Sequence, residues 1–329
     1  MVAPDSNNPE LELELELLPY LRVYKNGVVE RLVGTRVTPP GLDSLTGVDS
    51  KDITIVPETG ITARLYRPTA VEPPRKLPLV VYFHGGAFLI TSSAEPIYHN
   101  NCLIPLAAAT ESVVLSVNYR LAPEHPLPAA YEDSWAALQW VAEQSKTSGD
   151  EAGQEPWLKQ LVDFEKVFLL GDSAGGNIAH HMALRAQNSN LAGKFKIRGI
   201  ALIQPYFWGE EPIGSEITEP EKKALVDSWW NFVCPSDRGN DDLLINPFAD
   251  GSPSVEGLVG EKVVVIVAEK DILRDRGMIY YENLAKSNWK GKVDIFETEG
   301  EDHAFHLLDP TSEKAKRLVN RLALFVNED

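Results

Sequence analysis

The sequence predicts an α/β protein with a mostly parallel central sheet flanked by helices. Three observations carry this reading. Short apolar runs rich in valine recur along the chain, and segments of helical periodicity lie between them. The runs are also continuous rather than alternating, which marks strands buried on both faces of a parallel sheet. Alternation of the two kinds of segment implies a doubly wound arrangement, in which ligands bind beyond the carboxyl ends of the strands.

The predicted strands are residues 61–66, 79–83, 113–117, 167–170, 200–203, 263–268 and 293–296, and the predicted helices are 131–145, 176–187, 275–286 and 312–327. Two regions stand apart. Residues 11–18 alternate Leu and Glu, which suits a half-buried strand, yet Leu11, Leu15 and Leu18 also share one helical face. Both readings stay open. A polar stretch punctuated by Pro and Gly, residues 37–49, separates this run from the body. From 205 to 247 the chain carries Tyr206, Phe207, Trp208, Trp229, Trp230 and Phe232 but no strand pattern. A long insertion after a strand is usually functional, so this one reads as a lid, with a packed helical excursion as the plainer alternative. The chain reads as a single domain, 1–329.

Composition narrows the function classes. Against 31 basic residues stand 48 acidic ones, a net charge of −17 over 329 residues. Nucleic acid needs a basic face, and none of the charge runs supplies one. No stretch approaches the roughly 20 apolar residues that span a bilayer. The first ten residues are polar and lack an apolar signal core. Two cysteines, Cys102 and Cys234, build neither a disulfide framework nor a cysteine-rich zinc site. The expectation is a soluble cytoplasmic protein, with the nucleus also open, that binds no nucleic acid or membrane and uses no metal or cofactor. The oligomeric state is left open.

The predicted strand 167–170 runs into Gly171-Asp172-Ser173-Ala174-Gly175, followed by a helical segment. G-x-S-x-G between a strand and a helix is the nucleophile elbow. Small residues two before and two after the serine let the tight turn pass its neighbours, and the hydroxyl projects near a helix N-terminus that favours negative charge. A serine needs a base and the base an orienter, in the order Ser, Asp or Glu, His. His180 and His181 lie down the elbow's own helix, some 10 Å away at about 1.5 Å per residue. His303, in a polar loop after the last strand, is the expected base, and His306, beside Leu307 and Leu308, its competitor. Asp271 follows strand 263–268 after two residues and is the expected acid. Glu269 sits too close to the strand end, and Asp275 is expected to face solvent or cap a helix.

Acyl transfer also needs amide donors aimed at a developing oxyanion. The strand ending at Phe83 leads into His84-Gly85-Gly86-Ala87-Phe88. Glycines there let backbone N–H groups turn inward, so Gly85 and Gly86 are the expected donors, with the Ala174 amide as the third.

These motifs, together with Asn118-Tyr119-Arg120-Leu121-Ala122-Pro123-Glu124-His125 and Asp271-Ile272-Leu273-Arg274-Asp275, resemble the plant carboxylesterases of the hormone-sensitive-lipase group. The resemblance runs from about residue 17 to the C-terminus. It implies an α/β-hydrolase fold with Ser173, Asp271 and His303 as the triad. It also implies an N-terminal segment folded over the site, so that the lid comprises about residues 1–45 and 205–247. The 118–125 block reads as structural, a strand end and Pro-rich turn supporting the oxyanion loop. The family is similar to gibberellin receptors, which lack the catalytic histidine, and to isoflavanone dehydratases, which can carry threonine as nucleophile; this chain has His303 and Ser173. Ala87 stands where a third glycine is usual, and its methyl group is expected to narrow or tilt the loop. The expected function is hydrolysis of small to medium, largely apolar esters through an acyl-enzyme. Elimination or cyclisation in plant specialised metabolism is the alternative, and hormone sensing a third reading.

Overall fold

A computed structural model describes residues 12–71, 74–146, 154–189, 191 and 194–328. Its strands are β1 (Leu13–Leu17), β2 (Leu21–Tyr24), β3 (Val29–Arg31), β4 (Val48–Val56), β5 (Ile61–Pro68), β6 (Leu77–Phe83), β7 (Val113–Asn118), β8 (Val162–Asp172), β9 (Ile197–Ile203), β10 (Lys262–Ala268) and β11 (Lys292–Thr298). Its helices are α1 (Pro96–Tyr98), α2 (Ile104–Thr110), α3 (Ala129–Gln144), α4 (Pro156–Leu161), α5 (Ala174–Gln187), α6 (Pro220–Val233), α7 (Arg274–Lys286), α8 (Phe305–Leu308) and α9 (Glu313–Asn327).

Eight strands form one sheet in the order β11-β10-β9-β8-β6-β7-β5-β4. From β11 to β7 neighbours run parallel, while β5 is antiparallel to both β7 and β4. The valine-rich runs are buried for the reason that predicted them. In β10, Val263, Val265 and Val267 face one layer of the core and Val264, Ile266 and Ala268 the other. Helices α3, α5 and α7 cover the first face, and α2 and α9 the second. On α9, Leu318, Leu322 and Phe325 form the buried stripe, spaced as an amphipathic helix requires. Ser312 caps its start by accepting from the Ala315 amide.

One region differs from the sequence expectation and another, left open there, is decided. The strand β4 begins inside the stretch read as a separator; its alternating burial and polar composition belong to an edge strand. The Leu-Glu run becomes β1, antiparallel to β2, which pairs with β3 in a separate three-stranded sheet. Leu11 lies outside the described residues, as do residues 1–10 of the proposed lid. Among the described residues no helix is long and apolar enough to cross a membrane.

Candidate active site

The elbow sits at the end of β8, in the middle of the sheet. Ser173 holds φ +52° and ψ −119°, a conformation costly for any residue with a Cβ and kept only when the surroundings enforce it. The enforcement is visible. A Cβ on Gly175 would lie 1.8 Å from the Phe83 carbonyl oxygen, and one on Gly171 2.2 Å from that of Gly175. The Ser173 amide donates to the Ile203 carbonyl at 2.9 Å, and its own carbonyl accepts from the Tyr206 amide at 2.8 Å.

Asp271 follows β10 and His303 follows β11, so two adjacent parallel strands deliver them side by side. The His303 Nδ1 and Asp271 Oδ2 are 2.8 Å apart. Asp271 is buried, and its other oxygen accepts the Leu273 amide at 2.9 Å, which locks the carboxylate's orientation. Burial of His303 opposes its protonation, but the Asp271 charge and hydrogen bond, helped by Asp172 and Asp302, outweigh this and raise its pKa above the usual 6.5. Ser173 and His303 both open onto one cavity of about 530 Å³. Its walls are largely apolar, with Ile90, Ile97, Val226, Trp229, Leu273 and Leu307 among them.

His306 lies outside this cavity wall. Its ring is buried, neither nitrogen has a hydrogen-bond partner among the described residues, and burial pushes its pKa down to about 3. His180 is buried with Nδ1 at 2.9 Å from the Tyr280 hydroxyl. Asp275 is half-buried and does not cap its helix through its side chain. It accepts from the hydroxyl of Ser215 at 2.8 Å and thereby ties α7 to the 205–247 insertion.

The loop after β6 requires one correction. The Gly85 amide does not face the cavity. It donates to the Tyr98 hydroxyl at 2.8 Å and to Asp172 Oδ1 at 3.1 Å, both buried, so it is consumed in anchoring the loop. The cavity is lined instead by Gly86 and Ala87. The backbone turns there, with φ +104° at Gly86, +53° at Ala87 and +64° at Phe88. At Gly86 only glycine fits, because a Cβ would meet the Ile90 carbonyl oxygen at 2.4 Å. The Ala174 amide opens α5 directly after the serine, one of the donors that a helix start leaves unsatisfied.

Sequence reasoning left two supporting residues without a role. Asp172, inside the elbow motif, accepts from the hydroxyls of Tyr82 and Tyr98, each at 2.8 Å, as well as from Gly85. Burial raises its pKa, against the lowering effect of these bonds. Asn177, four residues past the serine, donates to the carbonyls of Tyr206 at 2.9 Å and Leu244 at 2.7 Å, pinning both ends of the insertion. The position of each within the Gly171–Asn177 motif was the available signal. In the 118–125 block, Tyr119 stacks on His84 at 4.3 Å and donates to the His84 carbonyl at 2.6 Å, supporting the loop as expected. Among the described residues no group of His, Cys, Asp or Glu side chains is arranged to hold a metal ion.

The N-terminal segment and the insertion both reach the cavity. Pro19 and Tyr20 come from the first, Val226 and Trp229 from α6 of the second. The Tyr20 and Trp229 rings meet edge to face at 5.7 Å.

Comparison with known proteins agrees with this geometry. The pattern of the alpha/beta hydrolase fold family matches residues 80–307. The chain is 54% identical to Probable carboxylesterase 2 of Arabidopsis thaliana, over 96% of this chain and 97% of that protein. It is 44% identical to a 2-hydroxyisoflavanone dehydratase of Glycyrrhiza echinata, over 99% and 100% of the two chains. A solved esterase from Pyrobaculum calidifontis superposes with a TM-score of 0.66 at 32% identity, covering 84% of each chain. With its central parallel sheet and a serine elbow at the end of β8, the chain belongs to the α/β-hydrolase fold family, among the plant carboxylesterases of the hormone-sensitive-lipase group.

Proposed function

We propose that this protein is a serine carboxylesterase acting on small to medium, largely apolar esters, with Ser173, His303 and Asp271 as its triad. The observation that carries the reading is the shared cavity. A strained serine and a histidine bonded to a buried carboxylate open onto one apolar chamber. With Nδ1 facing Asp271, His303 Nε2 takes the Ser173 proton as Oγ attacks the ester carbonyl. The amides of Gly86, Ala87 and Ala174 receive the oxyanion. His303 returns the proton to the departing alcohol, and water then releases the acid by the same route in reverse. Asp271 keeps the ring's orientation and stabilises its charged form.

The N-terminal sheet and the 205–247 insertion form the lid in this reading, supported by their residues in the cavity wall. The alternative reading, elimination in specialised metabolism, draws on the dehydratase likeness and on the Ala87 methyl at the cavity wall. A cytoplasmic or nuclear location completes the proposal, supported by two buried free cysteines, which suit a reducing compartment.

Fluorophosphonate labelling with peptide mapping, alongside hydrolysis of 4-nitrophenyl acetate, tests the assignment. The expected result is a single adduct on Ser173, an acyl-enzyme on quenching, and loss of turnover in Ser173→Ala. An adduct elsewhere, or an active alanine variant, overturns it. Conversion of a hydroxylated natural product by loss of water, with no acyl adduct from any small ester, favours elimination.

A further inference from the structure

The last residue of β3, Arg31, stands outside the cavity wall, yet all three of its guanidinium nitrogens donate hydrogen bonds where the small N-terminal sheet meets the loop after β6. Nε donates to the Leu89 carbonyl at 2.7 Å. Nη1 and Nη2 form a two-pronged pair with the Glu124 carboxylate at 2.7 Å each, and Nη2 also reaches the Ala122 carbonyl at 3.0 Å. Ala122 in turn donates its amide to the Phe88 carbonyl at 2.9 Å. The carbonyls of two consecutive loop residues, Phe88 and Leu89, are therefore held from outside the loop, one directly and one indirectly by the same clamp.

These carbonyls follow immediately on the part of the loop that needs holding. Gly86, Ala87 and Phe88 all have positive φ. Two of them carry a Cβ, and residues so strained persist only where the surroundings over-determine them. Within the loop itself, the Gly86 carbonyl accepts from the amides of Leu89 and Ile90 at 2.9 and 3.1 Å. That closes the turn without setting its direction against the sheet. A planar guanidinium with several donors in a rigid fork suits such a task, because it fixes orientation as well as distance. The segment that carries Arg31 also carries Pro19 and Tyr20 to the cavity wall.

We propose that Arg31 is a positioning residue that couples seating of the N-terminal sheet over the cavity to the geometry of the oxyanion loop. With the sheet seated, Arg31 holds Leu89 and, through Glu124 and Ala122, the 118–125 turn against the loop, so that the Gly86 and Ala87 amides face the cavity. With the sheet displaced, the loop relaxes and those amides lose their aim. The 118–125 block thereby becomes the anchor on which lid and loop are both fastened. The inference rests on the reading of Gly86 and Ala87 as oxyanion donors.

The test compares the full-length wild type with Arg31→Ala, Arg31→Lys and Glu124→Gln, assayed well below their unfolding temperatures. The substrate is 4-nitrophenyl acetate, and a trifluoromethyl ketone serves as a mimic of the tetrahedral adduct. Loss of aim at an oxyanion donor costs up to about 10²–10³ in kcat. Arg31→Ala is accordingly expected to lose about ten- to a hundredfold in kcat with KM changed less than about threefold, and to lose ketone affinity by a like factor. Arg31→Lys keeps a single-point donor and recovers part of the loss; Glu124→Gln shows a smaller loss of the same kind. Hydrogen–deuterium exchange over residues 84–92 speeds up in Arg31→Ala relative to wild type. A lower unfolding temperature with unchanged kcat and unchanged exchange in that segment overturns the proposal, as does a rise in KM alone. If wild type shows no Ser173-dependent hydrolysis, the esterase reading fails, and the exchange measurement still decides whether Arg31 holds the loop.

Discussion

The Asp172 carboxylate accepts the Gly85 amide at 3.1 Å, so the residue before Ser173 holds the second amide of the neighbouring loop. This bond explains why Gly85 is an anchor while Gly86 and Ala87 face the cavity. It also sets a second buried carboxylate near His303, whose pKa it helps to raise.

The Asp172→Asn variant follows directly. An asparagine has one acceptor oxygen and cannot satisfy two tyrosine hydroxyls and an amide that now meet a carboxylate. The expected outcome is a kcat loss of about ten- to a hundredfold as the oxyanion loop loosens. Removing the charge also lowers the His303 pKa, so the acid limb of kcat/KM moves to lower pH. A purely structural role would leave that limb in place, and a pH profile of the variant decides between the two.

In the proposed mechanism His303 must be neutral to accept the serine proton. Its pKa is raised above 6.5, so activity is expected to fall as pH drops through a single ionisation lying above the ordinary imidazole value. Asp271→Asn removes the largest raising influence and should bring that midpoint down while cutting kcat by up to about 10⁴. His303→Ala should lose at least about a thousandfold, and His306→Ala far less, because His306 lies off the cavity wall. Equal losses in the two alanine variants, measured with 4-nitrophenyl acetate, would show that the base is misassigned.

Ala87 holds φ +53° at the cavity wall. Glycine takes this conformation without steric cost, so Ala87→Gly should leave ester turnover unchanged or raise it. Stability is expected to change by no more than about 1 kcal/mol, since relief of strain is offset by a more flexible unfolded chain. Steady-state kinetics and thermal unfolding check both halves. A tenfold loss of kcat would mean that the methyl group itself holds the donors in place.

Much of this protein is determined by local sequence. The core strands announce themselves because a strand buried on both faces admits little but apolar residues, and β6 to β10 each contain the run that predicts them; β11, at the sheet edge, is only half-buried. Ser173, Asp271 and His303 are legible for a related reason. In a parallel sheet, loops after strands converge at one end, so position just past an apolar run already places a residue near the others. The elbow adds glycines that no larger residue can replace, with 1.8 Å left for a Cβ at Gly175.

Tertiary packing decided the rest. The Leu-Glu run satisfies two periodicities at once, and only pairing with β2 makes it a strand. Gly85, Gly86 and Ala87 are alike in sequence terms, all small and adjacent. Which amide faces the cavity depends on Tyr98 and Asp172, brought up from the helix that follows the loop and from the neighbouring strand. Arg31 and Glu124 lie 93 residues apart, and nothing local marks them as partners. A residue's chemistry is written in its side chain, but the direction of a backbone amide is set by whatever else competes to bond it, and those competitors come from elsewhere in the chain.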